Sequence, residues 1–335
     1  MYRFTKQVLA TSAALVGATA FSSAALADQC TSVTFGAAFT GSYTCTSLGT
    51  PLGTTPNLGG LTFLNNNTIL IGNGANGPAG TLQTLGVTRD GNNHITGFST
   101  PSTPWGTAPY NDGGLTFGPG GVLFAAQWPV NMLAQYKPGS TAPDKVVSLY
   151  GSMSSLSALG FVPTGFAGAG QLKLVSYGGG DWATATLTPD GSGLFDITVG
   201  PQLSFNLQGG PEGFVYVDGA NLGFGTDSLL VSEYGTGSVG IYDIDANGDP
   251  INGTHRSFLS GLAGAEGALI DPLTGDFIFS TFGAGNEVLV ISGFIAPPPP
   301  PAVPEPASWA MMILGLGAVG AGLRRAKRTT RVSFA

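Results

Sequence analysis

The chain has few residues of the kinds that carry acid–base, nucleophilic or metal chemistry. Only 9% of its 335 residues are charged, two are histidines and two are cysteines. No segment fits the nucleophile-elbow pattern G-x-S-x-G or the zinc-binding pattern H-E-x-x-H. His94 and His255 each follow a turn, and we expect exposed turn residues there rather than general bases. The sequence thus offers no catalytic residue.

Sustained helical periodicity is also missing from residues 28–296. This region is rich in glycine, threonine, serine and asparagine, and its apolar runs are short and bounded by glycines. Such runs are typical of buried strands, and they predict an all-β fold. The clearest runs are Thr68–Ile71, Val122–Ala125, Leu172–Val175, Ser228–Val231 and Asp276–Phe279.

The apolar runs recur with a period. A glycine that opens an apolar segment precedes each of them, and successive glycines are 54, 51, 48 and 54 residues apart. A period near fifty with about four short strands per unit predicts a β-propeller, since stacked sheets around an axis bury both faces of each sheet. These glycines are Gly60, Gly114, Gly165, Gly213 and Gly267.

Five blades are the favoured number, and six are the alternative. The fifth unit reaches a proline-rich segment before any fourth strand, so we expect the strand-like segment Ser32–Phe39 to close the ring against that last sheet. A sixth sheet would have to come from residues 28–58 together with 97–112 or 150–163.

The N-terminus has the pattern of a secretory signal peptide. Arg3 and Lys6 precede the apolar segment Val8–Phe21, and Ala25-Leu-Ala27 forms a small-x-small cleavage site before Asp28. We therefore predict a signal peptide at residues 1–27; an uncleaved anchor helix is the alternative.

The C-terminus has the pattern of a membrane anchor. Residues 297–306 form a proline-rich linker, which in polyproline II conformation spans roughly 30 Å. The uncharged segment 307–323 is long enough for a short transmembrane helix. The basic segment 324–335 favours the cytoplasmic side, so the body would lie outside.

This tail resembles the PEP-CTERM sorting signal of bacterial envelope proteins. The matching residues are Pro304, Glu305 and Pro306, followed by the apolar segment and by Arg324 and Arg325. The resemblance implies that an exosortase in the membrane cleaves near the tripeptide. The protein would then be anchored in the inner membrane only transiently and passed to the cell surface or the extracellular matrix.

The body between the terminal segments is acidic. Seven of the twelve cations and one of the nineteen acids lie outside residues 28–303, which keep 18 acids and 5 cations and a net charge of −13. Such a charge repels the phosphate backbone, so we exclude nucleic acid as a partner. Counter-cations and neutral sugars fit better, although acidity of this kind can also serve solubility alone.

Cys30 and Cys45 are the only cysteines. An even pair in an exported region predicts one disulfide bond, which would close a short N-terminal loop. Two free thiols are the alternative.

One segment is similar to the start of a calcium loop. Its oxygen-bearing side chains alternate and a glycine turn follows, but the twelfth position is Thr254 and not glutamate. The same place in other units is an ordinary turn, so a structural hairpin is the favoured interpretation and surface Ca²⁺ the alternative. The candidate ligands are Asp243, Asp245, Asn247 and Asp249.

The glycine-led units also resemble the NHL and SMP-30 group of propellers, whose blades often begin with Pro-Glu-Gly. The matching segments are Pro211–Gly213 and Ala265–Gly267. In SMP-30-like lactonases an acidic residue at this position helps to hold a divalent cation. The resemblance makes Glu212 and Glu266 speculative metal ligands, but Gly59, Gly113 and Thr164 occupy the corresponding places and supply no carboxylate. We therefore expect no cofactor, with Ca²⁺ as the alternative.

Several aromatic residues lie near glycine-rich loops or strand ends. Such side chains can stack on sugar rings, although in a propeller they more often pack between blades. They are Trp105, Trp128, Trp182, Tyr110, Tyr136, Tyr177 and Tyr234.

These features together predict a non-enzymatic, exported propeller that acts in adhesion or in association with exopolysaccharide. A cation-dependent propeller hydrolase or lactonase is the first alternative. A surface scaffold that binds another protein is the second.

Overall fold

A computed structural model describes residues 28–283 and 285–297. The signal peptide with Ala25 and Ala27, the sorting residues and the anchor helix of the sequence-based predictions lie outside the described residues. Within the described part, no helix reaches the length and hydropathy that a membrane crossing requires.

The chain folds as an all-β, five-bladed β-propeller. It begins with a 3-10 turn at Gln29–Thr31 and two short strands, β1 (Thr34–Phe35) and β2 (Thr44–Ser47). Five antiparallel sheets then follow one another along the chain. Their strands, listed from the inner edge outward, are β3 (Leu58–Asn65), β4 (Thr68–Asn73), β5 (Thr81–Arg89), β6 (Ile95–Phe98) and β7 (Thr103–Thr107) in blade 1; β8 (Asn111–Phe117), β9 (Leu123–Gln127), β10 (Met132–Tyr136) and β11 (Lys145–Ser148) in blade 2; β12 (Leu156–Phe161), β13 (Leu172–Ser176), β14 (Trp182–Pro189) and β15 (Phe195–Gln202) in blade 3; β16 (Pro211–Val217), β17 (Ser228–Glu233), β18 (Ser238–Asp243) and β19 (Arg256–Ser260) in blade 4; and β20 (Ala265–Ile270), β21 (Phe277–Thr281) and β22 (Val288–Ser292) in blade 5. A second 3-10 turn, Pro119–Gly121, lies between β8 and β9.

The five inner strands form a closed ring. Each contacts the inner strand of the next blade, and β20 contacts β3. One apolar cluster lies between each pair of adjacent blades, so the core is divided into five parts around the axis. The second strands are covered on both faces, and every residue of β9, β13, β17 and β21 is buried. This burial explains why they appear in the sequence as continuous apolar runs.

The N-terminal segment closes the ring, but not with the predicted residues. Thr44–Ser47 pairs with β22 and becomes the outer strand of blade 5, whereas Thr34–Phe35 pairs with β19 of blade 4. The prediction that Ser32–Phe39 closes the last sheet is therefore wrong, because a later N-terminal strand takes that place. The prediction that an N-terminal strand completes the last sheet is confirmed. The segment 97–112, considered for a sixth blade, instead supplies β7, which pairs with the outer edge of β5.

The prediction also misplaced the third blade. Its inner strand is Leu156–Phe161, and Gly165 and Phe166 lie in the turn that follows. Strand β12 has Ser157 and Ala158 where the first two blades have paired glycines, so the glycine signal is missing there.

The predicted disulfide is confirmed. Cys30 and Cys45 are joined across 15 residues. Cys30 lies in the 3-10 turn before β1, which pairs with blade 4, and Cys45 lies in β2 of blade 5, so the bond ties the chain ahead of one outer strand to the next outer strand.

Candidate functional site

The inner strands bring three carboxylates together at one end of the ring. We call this end, where all five inner strands begin, the mouth. Asp112, Glu212 and Glu266 are the second residues of β8, β16 and β20. One carboxylate oxygen from each lies within 4.8 Å of the other two, and the residues are only 2%, 6% and 1% exposed. We call these three residues the acidic triad.

The glycine after each acid allows this convergence. A Cβ at Gly213 would lie 2.5 Å from the carbonyl oxygen of Glu266, and one at Gly267 would lie 2.7 Å from Cα of Gly60. A Cβ at Gly113 would overlap the carbonyl oxygen of Glu212. Inner strands of adjacent blades, and those of blades 2 and 4 across the ring, therefore approach through bare backbone, which draws the preceding acids toward the axis.

A β-bulge at the start of each inner strand adjusts where these side chains point. The register shifts within the first residues of β3, β8, β12, β16 and β20. A bulge re-aims side chains, and bulges are common next to functional sites. In blade 2 the result is that Asp112, and not Gly113, takes the place equivalent to Glu212.

The triad is strongly perturbed electrostatically. Burial raises the pKa of Asp112 to about 7, while hydrogen bonds from Glu266 and Glu212 in their protonated forms oppose that rise. Burial, followed by the charge of Asp112, raises the pKa of Glu212 and of Glu266 well above the ordinary value. One buried oxygen of each triad residue has no hydrogen-bond partner among the described residues. The triad without a cation therefore retains protons at pH values where carboxyls are normally ionised.

Two asparagines border the triad. With its amide nitrogen turned toward Asp112, Asn76 donates to Oδ1 of that residue at 2.9 Å. Asn111 donates to the carbonyl oxygen of Ala108 at 2.9 Å, while its own Oδ1 is buried without a partner in the described part of the chain. Unpaired oxygens of this kind are suited to a cation rather than to an anion.

Aromatic residues surround the mouth. The residue after the second strand is Trp128, Tyr177, Tyr234 and Phe282 in blades 2 to 5, and Gly74 in blade 1. Successive ring centroids are 6.3, 6.1 and 5.9 Å apart, with planes at 78°, 73° and 77°. All four rings are half-buried. We call these four residues the aromatic crescent; Phe282 was not among the sequence-based candidates.

Other aromatic candidates pack between blades and are not available to stack on a sugar ring. Trp182 is fully buried with its ring 4.7 Å from that of Phe214. Tyr136 is also fully buried, 5.9 Å from Trp105.

The calcium-like loop has its carboxylates already engaged. Arg256 donates to Asp243 at 2.5 Å, and Lys173 donates to Asp249 at 2.6 Å. Asp245 accepts the backbone N–H groups of Asn247 and Asp249, as in a side-chain-capped turn. The geometry favours the hairpin interpretation over a Ca²⁺ site at this loop.

The two histidines, which were predicted to be exposed turn residues, are half-buried and paired with carboxylates. Nδ1 of His94 lies 2.6 Å from Asp276, and Nε2 of His255 lies 2.7 Å from Glu233. The hydrogen bond to Asp276 raises the pKa of His94 above its usual value. Both histidines pair with carboxylates outside the triad.

Comparison with known proteins identifies the sorting motif in the tail. Residues 302–328 match the family model of the PEP-CTERM protein-sorting motif. No curated protein sequence is significantly similar to the chain. Among solved structures, a carbohydrate-active enzyme of family AA12 from Trichoderma reesei is 10% identical, with a TM-score of 0.48 over 78% of this chain and 98% of that one.

Two further structures differ in their described roles. An auxiliary nutrient binding protein from Bacteroides thetaiotaomicron is 14% identical, with a TM-score of 0.40 over 70% of this chain and 58% of that one. A putative gluconolactonase is 14% identical, with a TM-score of 0.38 over 76% of this chain and 82% of that one.

Proposed function

We propose that this chain, a five-bladed propeller bearing a PEP-CTERM sorting motif, is a binding protein whose site is organised by a divalent cation. The motif marks an exported protein that is transiently anchored in the membrane and processed by an exosortase. We further propose the cell surface or the extracellular matrix as its final location, with a role in adhesion or in association with exopolysaccharide. The alternative role there is that of a scaffold for another protein.

The observation that carries this proposal is the unpaired oxygens of the acidic triad. Asp112, Glu212 and Glu266 each leave one buried oxygen without a donor among residues 28–283 and 285–297, and three carboxylates this close repel one another when ionised. A divalent cation removes both penalties, and hard cations such as Ca²⁺ prefer carboxylate and amide oxygens. The triad residues would hold the ion, and water or a bound ligand would complete its coordination.

Hydrolysis, as in a lactonase, is the second candidate. The observation in its favour is that carboxyls with raised pKa values lie where the cation would be, since such groups can exchange protons near neutral pH. His94 and His255 are paired with other carboxylates, so neither histidine is free to transfer protons beside the cation. Turnover of aliphatic or sugar lactones by the purified, cation-loaded protein, lost in Glu212→Gln, would favour this candidate over binding alone.

Metal analysis tests the cation site. The purified protein dialysed against Ca²⁺ is expected to retain one tightly bound divalent ion, and Glu212→Gln or Glu266→Gln to lose it. Asp245→Asn, in the calcium-like loop, is the matched control and is expected to retain the ion. Loss of the ion only in Asp245→Asn would move the site to that loop, and no bound ion in the unmodified protein would refute the proposal.

The sorting motif has its own test. Because the tripeptide and the arginines are recognised together in this family, Glu305→Ala or deletion of residues 324–328 is expected to leave unprocessed protein in the inner membrane. Ser308→Ala is a neighbouring control that should be processed normally. The measurement is the mature mass and the release of the protein. An unchanged mass in both test variants would contradict exosortase processing.

A further inference from the structure

The aromatic crescent is joined by backbone hydrogen bonds to the strands that carry the acidic triad. The N–H of each crescent residue donates, at 2.8 to 2.9 Å, to the residue immediately before the inner strand of its own blade. In blades 2, 4 and 5 this acceptor lies two residues before a triad acid. Extended chain advances about 3.3 Å per residue, so the crescent joins the blades roughly 7 Å outward of the triad. The four bonds are Trp128 to Tyr110, Tyr177 to Ser155, Tyr234 to Gly210 and Phe282 to Gly264.

The first three rings of the crescent also lean onto the next blade. Each meets the residue that accepts the backbone bond there, so one residue fixes the crescent from two sides. Where that residue is glycine, an added Cβ would lie 2.8 or 3.1 Å from the ring. The rings therefore form a continuous wall from blade 2 to blade 5. The three contacts are Nε1 of Trp128 with Oγ of Ser155 at 3.0 Å, the ring of Tyr177 with Gly210, and the ring of Tyr234 with Gly264.

The spacing of the rings sets the width of the mouth. Adjacent blades of five are rotated by about 72°, and the planes of successive rings differ by 78°, 73° and 77°, so the rings stand upright at equivalent positions. Equivalent points with centroids 6.3, 6.1 and 5.9 Å apart lie on a circle of about 5 Å radius. Subtracting the thickness of one ring from the diameter leaves a clear width of at most about 7 Å.

Behind the triad the axis is closed by backbone. Gly113 and Glu212 belong to blades 2 and 4, which are not neighbours, yet a Cβ at Gly113 would overlap the carbonyl oxygen of Glu212. A Cβ at Gly267 of blade 5 would lie 2.7 Å from Cα of Gly60 in blade 1. The described inner strands thus leave no passage at this level. We call the blind space above them, with the triad as its floor and the crescent as its wall, the cup.

The wall of the cup is open at blade 1. There the backbone bond comes from the buried residue Ala75, and neither Gly74 nor Ala75 carries a ring. The half-buried residues at this opening are the amides Asn57, Asn76 and Asn286. Asn76 donates to the triad, and the backbone N–H of Asn57 donates to Oδ1 of Asn286. The cup is therefore aromatic over four blades and polar over one.

We propose that the cup holds the terminal residue of a neutral glycan, with two adjacent hydroxyl groups on the cation and the apolar faces of the sugar against the rings. This inference rests on the cation-dependent binding role proposed above and names its ligand. The triad offers one oxygen from each acid, whereas Ca²⁺ takes six to eight oxygens. Because backbone closes the floor, the missing oxygens come from the cup.

Size and charge both limit the guest. A width of at most about 7 Å admits one sugar ring, and a chain cannot thread a cup that is closed at its floor, so only a chain end enters. A divalent cation leaves three ionised carboxylates with a net negative charge, which disfavours a carboxylate or phosphate guest. Adjacent hydroxyl groups supply neutral oxygens, and the remainder of the sugar offers apolar faces to the aromatic rings.

Calorimetry with simple glycosides tests the cup on the purified full-length protein. The methyl glycosides of mannose, galactose and glucose together present cis and trans pairs of adjacent hydroxyl groups. At least one is expected to bind in excess Ca²⁺ and to bind at least tenfold more weakly in chelator. If none of the three binds to protein that retains its divalent ion, this inference is wrong and the cation proposal stands.

Chain length and charge then test how the sugar is held. The linear 1,4-linked trisaccharide of the bound sugar is expected to match the methyl glycoside within threefold, because only the terminal unit enters the cup. A larger gain for the trisaccharide would show an extended groove instead. The methyl uronide of the same sugar, which adds a carboxylate, should bind at least tenfold more weakly. Equal or tighter binding of the uronide would overturn the choice of a neutral ligand.

Variants locate the site. The double change Tyr177→Ala/Tyr234→Ala is expected to weaken binding of the glycoside at least tenfold, while Trp105→Ala, an aromatic truncation outside the crescent, should leave it unchanged. Thermal unfolding and retention of the divalent cation show that the variants are folded. Full affinity in the folded double variant would refute the crescent as the wall of the site. Loss of glycoside binding with the cation retained separates this inference from the cation proposal.

Discussion

Without a bound divalent cation, the protein is expected to lose stability as the pH is raised from about 4 to about 8. The ordinary pKa of Asp112 is 3.8, and burial raises it to about 7 in the folded protein. A group whose pKa is higher in the folded than in the unfolded protein contributes its full stabilisation of the fold at pH values below the unfolded pKa. This stabilisation is lost as the pH rises through the folded pKa. The shift of about three units is worth on the order of 4 kcal/mol for this group alone. The raised pKa values of Glu212 and Glu266 act in the same direction.

Calcium should reverse this loss, because ionised carboxylates are what the cation binds. Urea unfolding at pH 5 and pH 8, in chelator and in excess Ca²⁺, measures both effects. In chelator the free energy of unfolding should fall between the two pH values, and in Ca²⁺ the part of the fall that comes from the triad should disappear. A free energy of unfolding that rises with pH in chelator would contradict the burial of ionisable acids at the mouth.

Two variants separate the triad from other titrating groups. Glu212→Gln removes one charge and is expected to flatten the pH dependence in chelator, whereas Asp245→Asn should leave it unchanged. The pKa of His94 is also raised, by its hydrogen bond to Asp276, so its stabilisation is lost above about pH 6.5. That contribution should persist in Glu212→Gln and should not respond to Ca²⁺.

Removing the disulfide bond is expected to cost about 3 kcal/mol of unfolding free energy. The bond closes a loop of 15 residues, and in the chain-entropy model such a cross-link restricts the unfolded state by about this amount. The double variant Cys30→Ser/Cys45→Ser should therefore unfold at lower urea concentration. The segment it releases carries β1 and β2, which finish blades 4 and 5, so we expect those two blades to lose protection in amide hydrogen exchange first.

A reductant provides the matched control. Dithiothreitol should lower the unfolding midpoint of the unmodified protein to that of the double variant, and it should have no effect on the variant itself. If the variant and the unmodified protein unfold at the same urea concentration, the disulfide bond contributes nothing to closure of the ring.

The repeat was predictable because each second strand is buried on both faces and therefore appears as a continuous apolar run. The third blade was misplaced because β12 begins with Leu156-Ser157-Ala158 and has no paired glycine. The closing strand was misassigned for a different reason. Thr44–Ser47 alternates between exposed and half-buried residues and has little apolar signal, so only its pairing with β22 identifies it.

The candidate site was half predictable. Glu212 and Glu266 precede the glycines of two apolar strands, and this pattern placed them near the mouth. Asp112 was not predicted, because Gly113 aligns with Glu212 in the glycine-led repeat, and the sequence alone does not show which side chain occupies the place equivalent to Glu212. The bulge at the start of β8 decides it. The aromatic crescent could have been found by asking which residue follows each second strand.

The sequence by itself determined that this protein is exported with a sorting motif, which cysteines pair, and that the body is a repeat of acidic, all-β units. Those properties depend on short segments or on composition, and each is complete within a few tens of residues. The tertiary structure decided which residues share a site. The triad residues come from three blades, and they meet only because the ring closes and its inner strands approach through glycine. The same closure sets the acidic triad and the aromatic crescent at one end of the ring, since strand direction in every blade is fixed relative to a common axis.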